Sequence, residues 1–282
     1  MTRSSHTTAH GLALPAILWT LAGLMLMLGS FTLFARVEHR LTATQVAQAQ
    51  AQALMLGGVE YTRVLLDTER GQFDNQPPKH FEYSVNDALI TLDISNASGF
   101  INLNHAPLPL LRDMLVEAFG LPEEHAQAIL TGLRPPLSPD LPPPQPIRDV
   151  RDLRGMPGMN DYIYNALINY VTTGTTQTGV NVRLAPLRVL TLLAHGDSRM
   201  ASNFAMARET QGPLADLTLL NTPYHEDGSS NVYHLEVGIT LPSGQHFKRL
   251  YWIERKGILW RASAHTDLPP IIQMEKRTHD PQ

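Results

Sequence analysis

The chain has 282 residues, a formal net charge of −4 and an apolar content of 43%, with a mean hydropathy of −0.14. That length allows one large or two small domains, and the negative charge argues against a dominant nucleic-acid-binding surface. The absence of cysteine excludes disulfide scaffolds, zinc-thiolate sites and thiol nucleophiles.

The first feature in chain order is an apolar run, residues 12–35, with no charged residue between Arg3 and Arg36. About twenty apolar residues in a helix cross the roughly 30 Å hydrocarbon core of a bilayer. The run therefore predicts a transmembrane helix over 12–35, with the rest of the chain on one side. No decisive helix breaker occurs before Asp67, so residues 36–72 are expected to continue the same helix outside the membrane.

Residues 80–99 follow a polar segment that contains Gly71 and two prolines. FEYSV and ALITLDI are β-branched and partly alternating, and Asn86-Asp87 separates them. This pattern predicts two antiparallel strands joined by a tight turn.

Residues 100–214 are predicted to form an all-α block. It comprises a first unit at 100–136, a proline-rich spacer at 135–146, a helical hairpin at 146–173 and a second unit at 179–213. In the first unit Asn104 or His105 is expected to cap a helix whose first turn contains Pro107, and a second helix is expected over about 122–133. The two units share an N-x-x-x-A-P-L phrase, which indicates duplicated hairpins. The matching residues that open the two repeats are Asn102 with Asn181, Ala106 with Ala185, and Pro107 with Pro186.

Residues 215–266 return to an alternating pattern, and a tail follows at 267–282. VYHLEVGITL, HFKRLYWIER and ILWRASA predict three antiparallel strands. Strands on both sides of the helical block indicate one sheet. The predicted fold is therefore α+β: a transmembrane helix that continues into a long helix packed on an antiparallel sheet, with a large inserted all-α domain of duplicated helical hairpins.

The sequence carries no recognisable catalytic motif, so we predict no enzyme activity, no catalytic residue and no metal ligand. His225-Glu226-Asp227 is the one dense cluster around a histidine, and its position beside Gly228 favours a solvated turn. Asn102 and Asn181 are expected to make local turn and cap hydrogen bonds rather than to bind a ligand.

The N-terminus resembles that of type IV pilins and pseudopilins. A short polar leader, residues 1–11, ends in Gly11 and precedes an apolar helix and a Gln/Ala-rich extension. The resemblance implies removal of the leader by a prepilin peptidase between Gly11 and Leu12. Most of that family has Glu at the fifth mature position, where this chain has Ala16. That substitution, together with the order of helix, strands, helical block and strands, is similar to the K-type minor pseudopilin of type II secretion systems.

This resemblance implies a non-enzymatic subunit at the tip of a pseudopilus, which initiates assembly for export of folded proteins across the outer membrane. The implied location is the bacterial inner membrane, with a single span and the body in the periplasm. The implied partners are the I- and J-type minor pseudopilins, the major pseudopilin, the inner-membrane assembly platform and the prepilin peptidase, with no nucleic acid.

Family members commonly carry an acidic calcium-binding segment after the first hairpin. Here GLRPPLSPDLPPPQP replaces it, with Asp140 as its only acid, so no calcium ligand and no other cofactor is assigned.

The alternative is a membrane-anchored DNA receptor of the competence type. Such receptors combine one anchor with helix–hairpin–helix units, and RGMPGM has glycines spaced as in such a hairpin. Backbone N–H groups and flanking cations of these hairpins bind phosphates. The negative net charge and the flanking strands favour the pseudopilin interpretation.

Overall fold

The computed structural model describes residues 13–69, 71, 73–135, 145–220, 222–256 and 259–264. Its contacts divide the chain into two compact units, Met1–Gln52 and Ala53–Gln282.

One helix, α1, runs without interruption over Ala13–Thr68. Pro15 lies in its first turn, where the missing N–H costs no internal hydrogen bond. The helix ends four residues earlier than the predicted limit of 72, and Gly71 beyond it has a φ of 86°. Within the described residues the helix is single and unbroken.

The described large apolar side chains of α1 between Ile17 and Phe34 are exposed in the isolated chain. Across the part of the chain that the structure describes, no helix has both the length and the hydropathy that a membrane span requires. The transmembrane helix predicted over 12–35 is thus not found among those residues.

The second unit contains a five-stranded antiparallel sheet in the order β1-β2-β5-β6-β7. The strands are β1 (Lys79–Val85), β2 (Ala88–Asn96), β5 (Val232–Thr240), β6 (His246–Lys256) and β7 (Leu259–Ala264). Asn86 and Asp87 have φ values of 48° and 62°, as a two-residue hairpin turn of the type I′ class requires. The α+β class and the single antiparallel sheet agree with the prediction.

The α-helices that follow α1 lie between β2 and β5, in one continuous stretch of sequence. They are α2 (Leu108–Asp113), α3 (Glu123–Leu133), α4 (Asp161–Leu167), α5 (Leu187–Leu193) and α6 (Ser198–Gln211). A π-helical segment, Met114–Ala118, extends α2. Two-residue strands β3 (Ile101–Asn102) and β4 (Val171–Thr172) pair in parallel.

The segment 146–173, predicted as a helical hairpin, contains two helical pieces, the second of which is α4. Its first half is a 3-10 helix, Val150–Gly155, rather than an α-helix, and its end is strand β4. Asp149 and Asp152 form a capping box at the start of the 3-10 helix, so their side chains hold its first turn.

The two faces of the sheet pack against different partners. On one face, Gly58 of α1 lies so close to Leu92 and Val237 that a Cβ added there would be 3.1 and 3.3 Å from their methyl groups. Met55, Val59 and Leu66 are buried on the same side of α1 at helical spacing.

On the opposite face, Val232, Leu250 and Trp252 belong to the same buried cluster as the helices between β2 and β5. The His234 ring lies next to those of Phe100 and Trp252, with ring centroids 4.5 and 5.5 Å away; the first pair is tilted and the second is edge-to-face. The helical segment and the sheet therefore share a core within one unit, and the proposal of a separate inserted domain stays a prediction.

Candidate functional site

The residues of the predicted processing site, Gly11 and Leu12, lie outside the described residues. Ala16 belongs to the first turn of α1, and its side chain is not among those described. Asp140 and the rest of 136–144 also lie outside the described part. The residues that open the two repeats are all described.

Asn102 is fully buried and uses its whole side chain to hold the turn before α2. Its Oδ1 accepts hydrogen bonds from the backbone N–H groups of Asn104 at 2.8 Å and His105 at 3.1 Å. Its Nδ2 donates to the carbonyl oxygen and the hydroxyl of Thr175, at 2.5 and 2.8 Å. The amide therefore joins a local turn to a segment seventy-three residues further along the chain.

Asn181 makes the equivalent bonds in the second repeat. Its Oδ1 accepts from the N–H of Arg183 at 3.1 Å, and its Nδ2 donates to the carbonyl oxygen of Gly228 at 2.7 Å. Both asparagines are thus occupied by backbone groups. This pattern is the turn bonding that the sequence suggested, and it leaves neither amide available to a ligand.

The alanine and proline of each repeat lie where the chain enters its helix. Ala106 and Ala185 are buried, and Pro107 and Pro186 are the residues immediately before α2 and α5. Neither helix has a side-chain cap, so the expectation that Asn104 or His105 caps the first helix is wrong. Asn104 instead exchanges two hydrogen bonds with the backbone of Ile147, at 2.9 and 2.8 Å.

The short 3-10 turn Ala97–Gly99, just before the first repeat, closely contacts the turn of the second repeat. The carbonyl oxygen of Ser98 accepts a hydrogen bond from the N–H of Asn181 at 2.8 Å. A Cβ on Gly99 would lie 2.3 Å from the carbonyl oxygen of Leu184, a separation that no side chain can occupy. Glycine is therefore required at 99 for this approach of backbone to backbone.

Two arginines that were not predicted from the sequence bind backbone carbonyl oxygens in the repeat turns. Arg134 donates to the carbonyl oxygen of Leu103 at 3.0 Å, and Arg208 donates to those of Val182 and Ala185 at 2.9 and 2.6 Å. Leu103 and Val182 are the residues directly after the two asparagines. The arginines do not align at the spacing that relates Asn102 to Asn181, so comparison of the two sequence units gave no signal for them.

The guanidinium of Arg208 is deeply buried among carbonyl oxygens. Burial lowers the pKa of Arg208 to about 10, and burial also lowers the pKa of Arg134. A charged group satisfied by carbonyl dipoles alone retains part of its desolvation cost. Its position therefore indicates a structural role in fixing the turn from Val182 to Ala185.

The loop at 225–227 is solvent-accessible, with Asp227 exposed, and its acidic side chains make hydrogen bonds and ion pairs. Glu226 accepts hydrogen bonds from the N–H groups of Gly179 and Thr178, at 2.6 and 2.9 Å, and from the Thr178 hydroxyl. These bonds, led by that from Gly179, lower the pKa of the Glu226 carboxyl. Asp227 pairs with Arg183 and with His225. Within the described residues, no group of three or more His, Asp or Glu side chains is arranged to hold a metal ion.

No family model and no curated protein sequence matches the chain. One comparison with solved structures found a similar chain. A chain of the GspK-GspI-GspJ complex from the Type 2 Secretion System of enterotoxigenic Escherichia coli is 16% identical, with a TM-score of 0.47. The similarity covers 77% of this chain and 98% of that chain.

Proposed function

We propose that the protein is a minor pseudopilin of the K type in a type II secretion system. Its role is binding and assembly, with no catalytic turnover. The proposal rests on the leader that ends in Gly11, on the absence of Glu at position 16, and on the order of elements along the chain.

The observation that best supports the proposal is the packing of α1 on the sheet. The last part of this 56-residue helix, with Met55, Val59 and Leu66 buried, covers one face of an antiparallel sheet. The strands of that sheet come from both sides of the helical segment. A long N-terminal helix on such a sheet is the arrangement that the resemblance implies for pilin-like subunits.

The leader and the apolar run suggest how the subunit is installed. Prepilin peptidase removes residues 1–11, and residues 12–35 anchor the mature chain in the inner membrane with the body in the periplasm. There it joins the I- and J-type minor pseudopilins, the major pseudopilin and the assembly platform. The bulk contributed by the helical segment suits a tip position that initiates the pseudopilus.

Ala16 is consistent with that tip position. In most pilins a Glu at this point neutralises the N-terminal ammonium of a neighbouring subunit within lipid, where an unpaired charge is costly. A subunit with Ala16 cannot supply the carboxylate, and a tip subunit has no subunit above it to pair with.

A secretion assay tests the function. In bacteria lacking the endogenous K-type subunit, the chain should restore release of a folded type II substrate into the medium. It should also copurify with the I- and J-type subunits. The variant Gly11→Val should fail in both respects because it blocks processing, whereas Gln127→Ala, on an exposed face of α3, should behave as the unmodified chain. Restored secretion by the unprocessed variant, or absence of both partners from the purified chain, would contradict the proposal.

A further inference from the structure

The second unit also contains a polar cleft, whose lining includes Thr175, the partner of Asn102. Its volume is about 690 Å³, within the range that binds small ligands and short peptides. The 3-10 helix that starts at Val150, the segment after β4, the loop before β5 and the strands β6 and β7 form its walls. Its charged lining residues are Arg148, Asp149, Arg151, Glu254 and Arg261.

Some of the charged side chains in this cleft form ion pairs and others do not. Asp149 binds Arg151 at 2.6 Å, and Glu254 binds Lys256 at 3.3 Å. Arg148 and Arg261 are exposed, and neither has a carboxylate within ion-pair distance among the described residues. They come from different walls, one from the helical segment and one from β7. Arg261 of β7 lies directly across from Glu254 of β6, and Arg148 lies before the 3-10 helix. Two guanidinium groups contributed by separate segments of one lining are suited to bind a shared acidic group.

The uncharged lining consists mainly of hydroxyl groups, which can donate or accept a hydrogen bond. Thr173, Thr176, Ser229 and Ser263 contribute them along the walls. Ser98 also belongs to the lining; it is 1% exposed, and its Oγ has no hydrogen-bond partner among the described residues. Such a surface matches the alternating donors and acceptors of a peptide backbone.

We propose that the cleft binds a polar peptide segment that carries an acidic side chain. Three arginines against two carboxylates leave the lining with one net positive charge. Glu254 would repel a compact polyanion such as pyrophosphate, whereas a peptide can place a single carboxylate between Arg148 and Arg261 and turn its neutral backbone toward Glu254. Specificity then comes from the acidic residue, and the hydroxyl groups fix the backbone.

The test uses pentapeptides blocked at both ends, so that the central residue carries the only charge. Binding of the full chain to the labelled set, with the central residue varied over all twenty types, is measured by fluorescence anisotropy at low salt. Peptides centred on Asp or Glu should bind at least about ten-fold more tightly than those centred on Asn or Gln, the size of a good charge-assisted contact. The double variant Arg148→Gln, Arg261→Gln should lose this preference, and Arg199→Gln, on the exposed face of α6, should retain it.

Three results would overturn the proposal. One is equal binding of acidic and amide peptides, and another is an acidic preference that persists in the double variant. The third is displacement of the peptide by inorganic phosphate at equal concentration, which would define a general anion site. Both arginines are exposed, so the double variant should unfold at the same temperature as the unmodified chain. If it does not, each single variant should still reduce the preference at least about three-fold.

Discussion

The buried asparagines that open the repeats give the sharpest test of the fold. Replacing Asn102 with Ala removes the partners of two backbone N–H groups and one carbonyl oxygen. Each buried polar group left without a partner costs about 1–3 kcal/mol, and water entering the space offsets part of this. We therefore expect Asn102→Ala to lower the free energy of unfolding by about 3–5 kcal/mol.

The second repeat supplies an internal comparison. Asn181 holds one N–H and one carbonyl oxygen in the described hydrogen bonds, so Asn181→Ala should cost about 2–3 kcal/mol by the same reasoning. Gln127 is exposed on α3 and its side chain holds no such group, so Gln127→Ala should change stability by less than about 0.5 kcal/mol.

Thermal unfolding followed by circular dichroism measures this order. A protein of this size loses roughly 2–4 °C in Tm for each kcal/mol, so Asn102→Ala should lower the Tm by roughly 6 °C or more. Asn181→Ala should be intermediate, and Gln127→Ala should leave the Tm within about 2 °C. If both asparagine variants have the same Tm as Gln127→Ala, the amides do not hold the turns and the account of the repeats is refuted.

Three further predictions concern the same region. Gly99→Ala should reduce Tm and the yield of folded protein because its Cβ would overlap a backbone carbonyl oxygen, while Gly155→Ala, with open space around it, should be tolerated; equal effects would contradict the close approach. Arg208→Met should cost at least about 2 kcal/mol in urea unfolding because it leaves buried carbonyl oxygens unsatisfied, and Arg199→Met should be neutral; the reverse order would exclude a structural role for the buried guanidinium. The lowered pKa of Glu226 means that its carboxylate contributes stability above its ordinary pKa of about 4.5 and loses it as pH falls through the folded value; Glu226→Gln should therefore show a smaller fall in Tm than the unmodified chain between pH 6 and pH 3, and an identical fall would refute the assignment.

The sequence predicted the elements whose signal is local. Helix α1 has no breaker before its end, and this absence was sufficient to predict it. The strands were predicted from their β-branched residues and partial alternation. The turn at Asn86-Asp87 is set by residues that tolerate positive φ. The repeated N-x-x-x-A-P-L phrase located both buried asparagines because local turn chemistry fixes their spacing.

Features that depend on distant contacts were missed. The partners of Asn102 and Asn181 lie in segments about seventy-three and forty-seven residues away, and no pattern in the phrase specifies them. The buried Arg208 resembles any helix-surface arginine in the sequence. The cap assigned to Asn104 or His105 was wrong because α2 begins only at Leu108, after Pro107, and the Asn104 side chain binds the backbone of Ile147 instead. The shared core of helices and sheet likewise follows from packing rather than from local pattern.

The central claim is that the chain is a processed minor pseudopilin, and its N-terminal residue tests that claim most directly. Full chain extracted from cells with and without a prepilin peptidase is analysed by N-terminal sequencing and intact mass. The account predicts that the chain begins at Leu12 when the peptidase is present and retains residues 1–11 when it is absent. The same uncleaved N-terminus in both cells would contradict it, and would favour the tethered-receptor alternative.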